Sequence, residues 1–116
     1  MSAIHQGEVY WLDLGPATGS APAERHPCVV VQNDVFNRSA IATSVVCLIT
    51  SNLSRAKAPG NVLLKKGEAS LRKASVVNVS QILTVDKADL VECVGKLSAA
   101  AARAVCDGLH LLFERF

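Results

Sequence analysis

The chain is predicted to fold as a small β-barrel closed by one C-terminal helix. Short β-type runs recur along most of its length, Gly, Pro, Asn and Ser clusters punctuate them, and only the last segment changes to a helical period. The first run, Gly7-Glu8-Val9-Tyr10-Trp11-Leu12-Asp13-Leu14, reads as a strand, with Gly15-Pro16 and Gly19-Ser20 marking the connection after it. Cys28 to Val31 are four consecutive strand formers, the pattern of a strand buried on both faces. Pro27 is expected at its first position, where a missing backbone donor is tolerated.

Residues 41–50 form a long β-type run that Ser51-Asn52-Leu53-Ser54 should end, leaving Thr50 at a strand edge. Pro59-Gly60-Asn61 turns the chain into Val62-Leu63-Leu64, and Lys65-Lys66-Gly67-Glu68 turns it again. Residues 75–79, 81–85 and 91–94 supply three further β-rich pieces. Leu97, Ala101, Val105, Leu109 and Leu112 then recur at steps of three and four, opposite a polar stripe of Arg103, Asp107, His110 and Glu114. That is an amphipathic helix, with Ser98 able to cap its first turn. Gly108 in its interior should cost about 1 kcal/mol relative to Ala.

At 116 residues and 12.3 kDa, one domain spanning residues 1–116 is expected, without internal repeat or linker. The composition is 50% apolar and 19% charged, which favours a packed globule over disorder. No apolar run approaches the roughly 18 residues that a membrane-spanning helix needs. The amino terminus does not resemble a secretory signal, so a cytoplasmic location is expected. Four cysteines, at 28, 47, 93 and 106, lie among apolar residues without ligand-like spacing and read as buried thiols, with no metal or cofactor implied. Charge is unevenly placed: residues 50–75 carry a net +5, against −2 before them and −1 after them. Such a local positive field attracts phosphate, although lysines beside short strands are also commonly just solvated.

Chemistry is most readily placed where the polar loop ending Glu24-Arg25-His26-Pro27 feeds directly into the apolar strand. On residue types alone, His26 reads as structural or exposed and Thr50 as a strand-edge residue. His5 and His110 read as surface groups, and Tyr10 and Trp11 as core or dimer packing, with stacking on bases as the alternative.

The Gly-Glu-Val-Tyr strand, the Gly19-Ser20 loop, the basic residues before Pro27 and the strand running into Gln32-Asn33-Asp34 together resemble the MazF/PemK family of toxins. So do Val46-Cys47-Leu48-Ile49-Thr50-Ser51-Asn52 with Pro59-Gly60-Asn61-Val62, residues 74–86, and Val94-Gly95-Lys96-Leu97 before the helix. The resemblance runs in order through roughly residues 6–113. It implies an SH3-like barrel that dimerises, cleaves single-stranded RNA without metal to a 2′,3′-cyclic phosphate and a 5′-hydroxyl, and is silenced by a cognate MazE-like antitoxin. The same fold hosts CcdB-like gyrase poisons, which depend on a terminal Trp-Gly-Ile; this chain ends Phe113-Glu114-Arg115-Phe116.

In the family, an Arg directly before the Pro and a Thr at the end of the later strand form the main catalytic pair. Thr50 matches the Thr, but His26 stands at the Arg position and Arg25 lies one place earlier. Three accounts follow: His26 exchanges a proton while Arg25 stabilises phosphate; a non-extended loop swings Arg25 into the usual place, leaving His26 as a substrate contact; or the chain is a weakened or inactive nuclease, with a non-catalytic toxin fold that binds an antitoxin or another macromolecular target as the alternative function. Ser20, Ser51, Asn52 and Gln81 match polar positions beside the RNA groove, where they would read unpaired bases, and are equally suited to turns and caps. Lys57 reads as a phosphate contact or a solvated lysine.

Overall fold

The computed structural model describes residues 3–15 and 25–115. Six strands, β1 (Glu8–Asp13), β2 (Arg25–Val30), β3 (Thr43–Thr50), β4 (Val62–Leu64), β5 (Ser75–Asp86) and β6 (Cys93–Lys96), accompany helices α1 (Asp34–Asn37) and α2 (Ala99–Leu112). All the pairings are antiparallel, in the order β4-β5-β3-β2-β1-β6. The sheet curls into a half-barrel. β4 and β6 do not pair with each other; α2 packs on β4 and β5, and a 3-10 turn at Glu68–Ser70 packs on β6. No helix among the described residues is long and apolar enough to cross a membrane.

The period of two along the central strands buries both faces. Val9, Val29, Cys47, Ile49, Val77 and Val79 point toward α2 and meet its Val105, while Tyr10, Leu12, Cys28, Val30 and Val46 form a second cluster on the opposite face with Ile4 and Leu90. Alternate residues of β2 thus fall in different clusters, as a doubly buried strand requires.

Three boundaries differ from the sequence expectation. β2 begins at Arg25 because Arg25 and His26 pair with Asp13 and Leu12 of β1. Residues 75–86 form one strand, since β5 spends six residues, from Val77 to Ile82, where β3 spends only the three from Cys47 to Ile49, and the excess becomes an internal bulge. β6 starts later than expected, because its partners in β1 are Glu8, Val9 and Tyr10. The short helix α1 was not anticipated; the Asn33 side chain caps it by accepting the Val35 N–H at 2.8 Å.

Around α1, Asp34 Oδ1 accepts the Gln6 N–H at 2.6 Å and an Asn37 amide N–H at 3.1 Å, and the Gln6 amide donates to the Val31 carbonyl at 2.8 Å. These bonds fasten the segment before β1 to the end of β2. The Gln6 N–H, more than any other neighbour, holds the Asp34 carboxyl below the usual carboxylate range.

Ser98 caps α2 by accepting the Ala101 N–H at 3.2 Å, and its own N–H donates to the Glu68 carboxylate at 2.8 Å. Gly108 is not the defect that helix propensity suggests. A Cβ at that position would overlap the carbonyl oxygen of Gly60, whose own backbone is left-handed at φ +76°. The missing side chain lets α2 lie directly on the turn before β4.

Two expectations follow. Gly108→Ala should lower stability by about 1–3 kcal/mol in urea unfolding, because overpacking against backbone outweighs the propensity gain of about 1 kcal/mol; a stabilised variant would refute the contact. Asp34 has a lowered folded-state pKa, so its contribution is complete above the unfolded value and lost as pH falls through the folded one. Asp34→Asn should therefore cost more at pH 7 than at pH 3, and equal unfolding-midpoint shifts at both would count against the linkage.

Candidate functional site

β2 and β3 pair through Cys28↔Leu48 and Val30↔Val46, and continuing that register by two residues sets His26 across from Thr50. The two side chains form the wall shared by a pair of cavities. Thr50 Oγ1 accepts the Asn52 N–H at 3.1 Å, which fixes the hydroxyl while leaving its proton to donate.

The larger cavity, about 640 Å³, has an apolar floor of Pro27, Ile49, Leu71 and Val94. Trp11, Arg25, Ser51, Ser70, Arg72, Lys73, Ser75 and Glu92 surround it. The smaller, about 460 Å³, presents Asn52, Arg55, Asn78, Ser80 and Gln81 beside Leu14 and Leu48. Its polar wall comes from the β5 bulge: Asn78 donates to Gln81 Oε1 at 3.0 Å, Ser80 Oγ donates to Asn78 Oδ1 at 3.0 Å, and the Val79 N–H turns away to Asn61 Oδ1. An extended strand would have put alternate members of this group on the other face.

The rim of the larger cavity is built with strain. Ala69 and Ser70 both adopt left-handed backbone, at φ 53° and 63°, a conformation that costs of order 1–3 kcal/mol each for non-glycine residues. It persists because Glu68 is anchored to the start of α2 and the Ala69 carbonyl packs where a Cβ on Gly95 would otherwise be.

Arg25 lines the larger cavity together with His26 and Thr50. Residues 25–30 form a regular strand, so adjacent side chains diverge, and the Arg25 guanidinium is held by Glu92 Oε1 at 2.9 Å and Asp13 Oδ1 at 3.3 Å. It also lies 5.2 Å from the centroid of the Trp11 ring. The non-extended loop that would have carried Arg25 into the usual arginine position is absent from the described residues.

Of the other candidates, Ser51 borders the larger cavity, and Asn52 and Gln81 the smaller. Asn52 Oδ1 is already engaged with the Ser54 N–H and hydroxyl, at 3.2 and 2.7 Å. Lys57 is exposed on the 3-10 turn Leu53–Lys57 and lines neither cavity; Ser20 lies outside the described residues. Sequence reasoning did not single out Trp11, Glu92, Asn78, Arg55, Arg72 or Lys73 for the site. The last three were visible only as members of the positive segment. Trp11 is half-buried at the cavity wall, outside the two core clusters, whereas Tyr10 is buried in one of them.

All four cysteines are free, but only Cys28 and Cys47 are buried, their thiols pushed up by burial to about 12 and about 11. Cys93 and Cys106 are exposed, a correction to the expectation of four buried thiols. Cys93 lies on the edge strand β6, and Cys106 follows the inward-facing Val105 on α2. Among the described residues no three His, Cys, Asp or Glu side chains converge as a metal site would need.

A family model described as "PemK-like, MazF-like toxin of type II toxin-antitoxin system" matches residues 5–113. Endoribonuclease MazF6 of Mycobacterium tuberculosis is 43% identical over 111 residues, which are 96% of this chain and 97% of that protein. Endoribonuclease MazF2 of Mycobacterium bovis is similar to the same extent. Among solved structures, an endoribonuclease in complex with its cognate antitoxin from a mycobacterial species superposes with a TM-score of 0.73 at 25% identity, covering 96% of this chain and 93% of that one. The MazE-MazF structure (Form-II) from Deinococcus radiodurans shares the fold with a TM-score of 0.79 over both full chains, at 19% identity.

The thiol environments have a direct readout. Native protein treated with a maleimide at pH 7.5 is expected to label at Cys106 and, more slowly, at Cys93, whose thiol is also raised by burial and by Glu8, whereas unfolded protein labels at all four. Native labelling of Cys28 or Cys47 would contradict the packing of β2 against β3.

Proposed function

The chain belongs to the PemK-like, MazF-like toxin family of type II toxin–antitoxin systems, and from that premise we propose that it is an endoribonuclease cutting single-stranded RNA at specific short sequences. The observation that carries the reading is that His26 and Thr50 both line each of two adjoining cavities, which also hold Arg55, Arg72 and Lys73. An imidazole takes or returns a proton near neutral pH, a hydroxyl donates to a phosphate oxygen, and the cations offset charge on the attacked phosphorus.

In this mechanism the ribose 2′-hydroxyl attacks the adjacent phosphorus and loses its proton to a base. The bond to the departing 5′-oxygen breaks, and that oxygen takes up a proton. The products are a 2′,3′-cyclic phosphate and a 5′-hydroxyl, and no metal is required. His26 serves the proton transfers and Thr50 Oγ1 positions the scissile phosphate. Arg25, tied to two carboxylates, lines the larger cavity beside this pair and leaves the proton transfers to His26. Ser51, Asn52 and Gln81 meet the flanking nucleotides. Arg55 and Lys73 take over the phosphate-contact role first considered for Lys57.

The same reading gives the partners: a second copy of the chain, and a MazE-like antitoxin whose acidic segment crosses the positive cavities in competition with RNA. It also gives a cytoplasmic location, where both are made. One observation favours a binding-only toxin fold, namely the double carboxylate pairing that removes Arg25 from the usual arginine position.

Incubation with a long unstructured RNA in EDTA separates the two. Discrete fragments with cyclic-phosphate ends are expected, slowed about 100-fold or more by Thr50→Ala. His26→Ala should slow cleavage about 100-fold or more, the loss expected of a missing proton-transfer group. Intact RNA at high protein concentration would overturn the nuclease reading in favour of the binder.

A further inference from the structure

We propose that the larger cavity is a pocket for one nucleobase of the RNA, and that Glu92 makes it select a base with an exocyclic amino group over uracil. This inference rests on the nuclease reading above and adds a recognition element to it.

The cavity has the construction a base requires. Pro27, Ile49 and Val94 provide an apolar floor, and polar groups stand at the rim. Beside it, the Arg25 guanidinium is stacked on Trp11 and held on two sides by Asp13 and Glu92, a rigid planar surface of the kind on which unpaired bases stack. The place is next to the reaction, because His26 and Thr50 line this cavity as well as the smaller one. A phosphate at that pair has one neighbouring nucleotide on each side.

Glu92 is the feature that a general phosphate groove does not explain. Among the described residues it is the one carboxylate lining the cavity, and it shares the rim with Arg72 and Lys73. A carboxylate repels the RNA backbone, so its productive use is to accept a hydrogen bond from a base. Its position is fixed twice: its carbonyl accepts the Trp11 N–H at 3.1 Å, and Oε1 accepts from Arg25 at 2.9 Å. The Glu92 side chain is 62% exposed, so its carboxylate remains open to a further donor. Cytosine, adenine and guanine present amino hydrogens to such an acceptor. Uracil flanks its single N–H with two carbonyl oxygens, whose partial negative charge faces the carboxylate.

The test is cleavage of an RNA library randomised around the scissile bond, followed by kcat/KM on substrate pairs differing only by cytosine or uracil at the selected position. Wild type is expected to disfavour uracil at one fixed position by about tenfold. Glu92→Gln, which keeps the shape but adds a donor that uracil oxygens accept, should bring that ratio to within about twofold. Asp13→Asn loosens the same arginine from its other partner and should leave the ratio standing. An unchanged ratio in Glu92→Gln, or equal loss in Asp13→Asn, would overturn the assignment, the latter by showing that Glu92 acts only through Arg25.

A second measurement separates this inference from the nuclease reading. Trp11 is the only tryptophan of the chain, so its fluorescence reports occupancy of the cavity by oligonucleotides made uncleavable with a 2′-deoxyribose at the scissile position. Base-dependent quenching without cleavage of any natural RNA would sink the nuclease and support the pocket. Cleavage that tolerates uracil at every position would sink the pocket alone.

Discussion

The antiparallel register of β2 between β1 and β3 is the constraint on which the site depends. It sets His26 across from Thr50 and, because neighbouring residues of a strand face opposite ways, sends Arg25 toward Asp13 and Glu92. A shift of one residue would exchange the imidazole for the guanidinium. It would also move Cys28, Val29 and Val30 to the wrong clusters, so burial on both faces of the sheet holds the register in place. The core thereby decides which ionisable group meets the strand-end hydroxyl.

Charge is distributed accordingly. The arginine nearest to the family's catalytic position is neutralised by two carboxylates and stacked on an aromatic ring, while Arg55, Arg72 and Lys73 bring positive charge to the cavities from loops distant in sequence. A modest overall excess of +2 is therefore compatible with a phosphate-binding groove, because what counts is the local field.

The walls of that groove come from irregularities. The β5 bulge collects Asn78, Ser80 and Gln81 on one side, and the left-handed turn at Ala69 and Ser70 shapes the other. Both are held by contacts that lack of a side chain permits: Gly95 against the Ala69 carbonyl, and Gly108 against Gly60, next to the Asn61 that bonds into the bulge. The helix that closes the core thus also steadies the substrate side of the sheet.

The strands, the capped terminal helix and the family were legible in the sequence, because alternation, turn residues and a helical apolar stripe are local patterns. Thr50 and His26 became candidates through the family resemblance, since their local patterns alone read as a strand edge and a loop residue. Their apposition and the diversion of Arg25 were set by pairing between distant segments, as was the bulge that joins residues 75–86 into one strand. Glu92 and Trp11 carry no local signal at all. Their chemistry exists only because Trp11 of β1 hydrogen-bonds to the backbone just before β6, a contact between residues 81 positions apart that no one-dimensional pattern encodes.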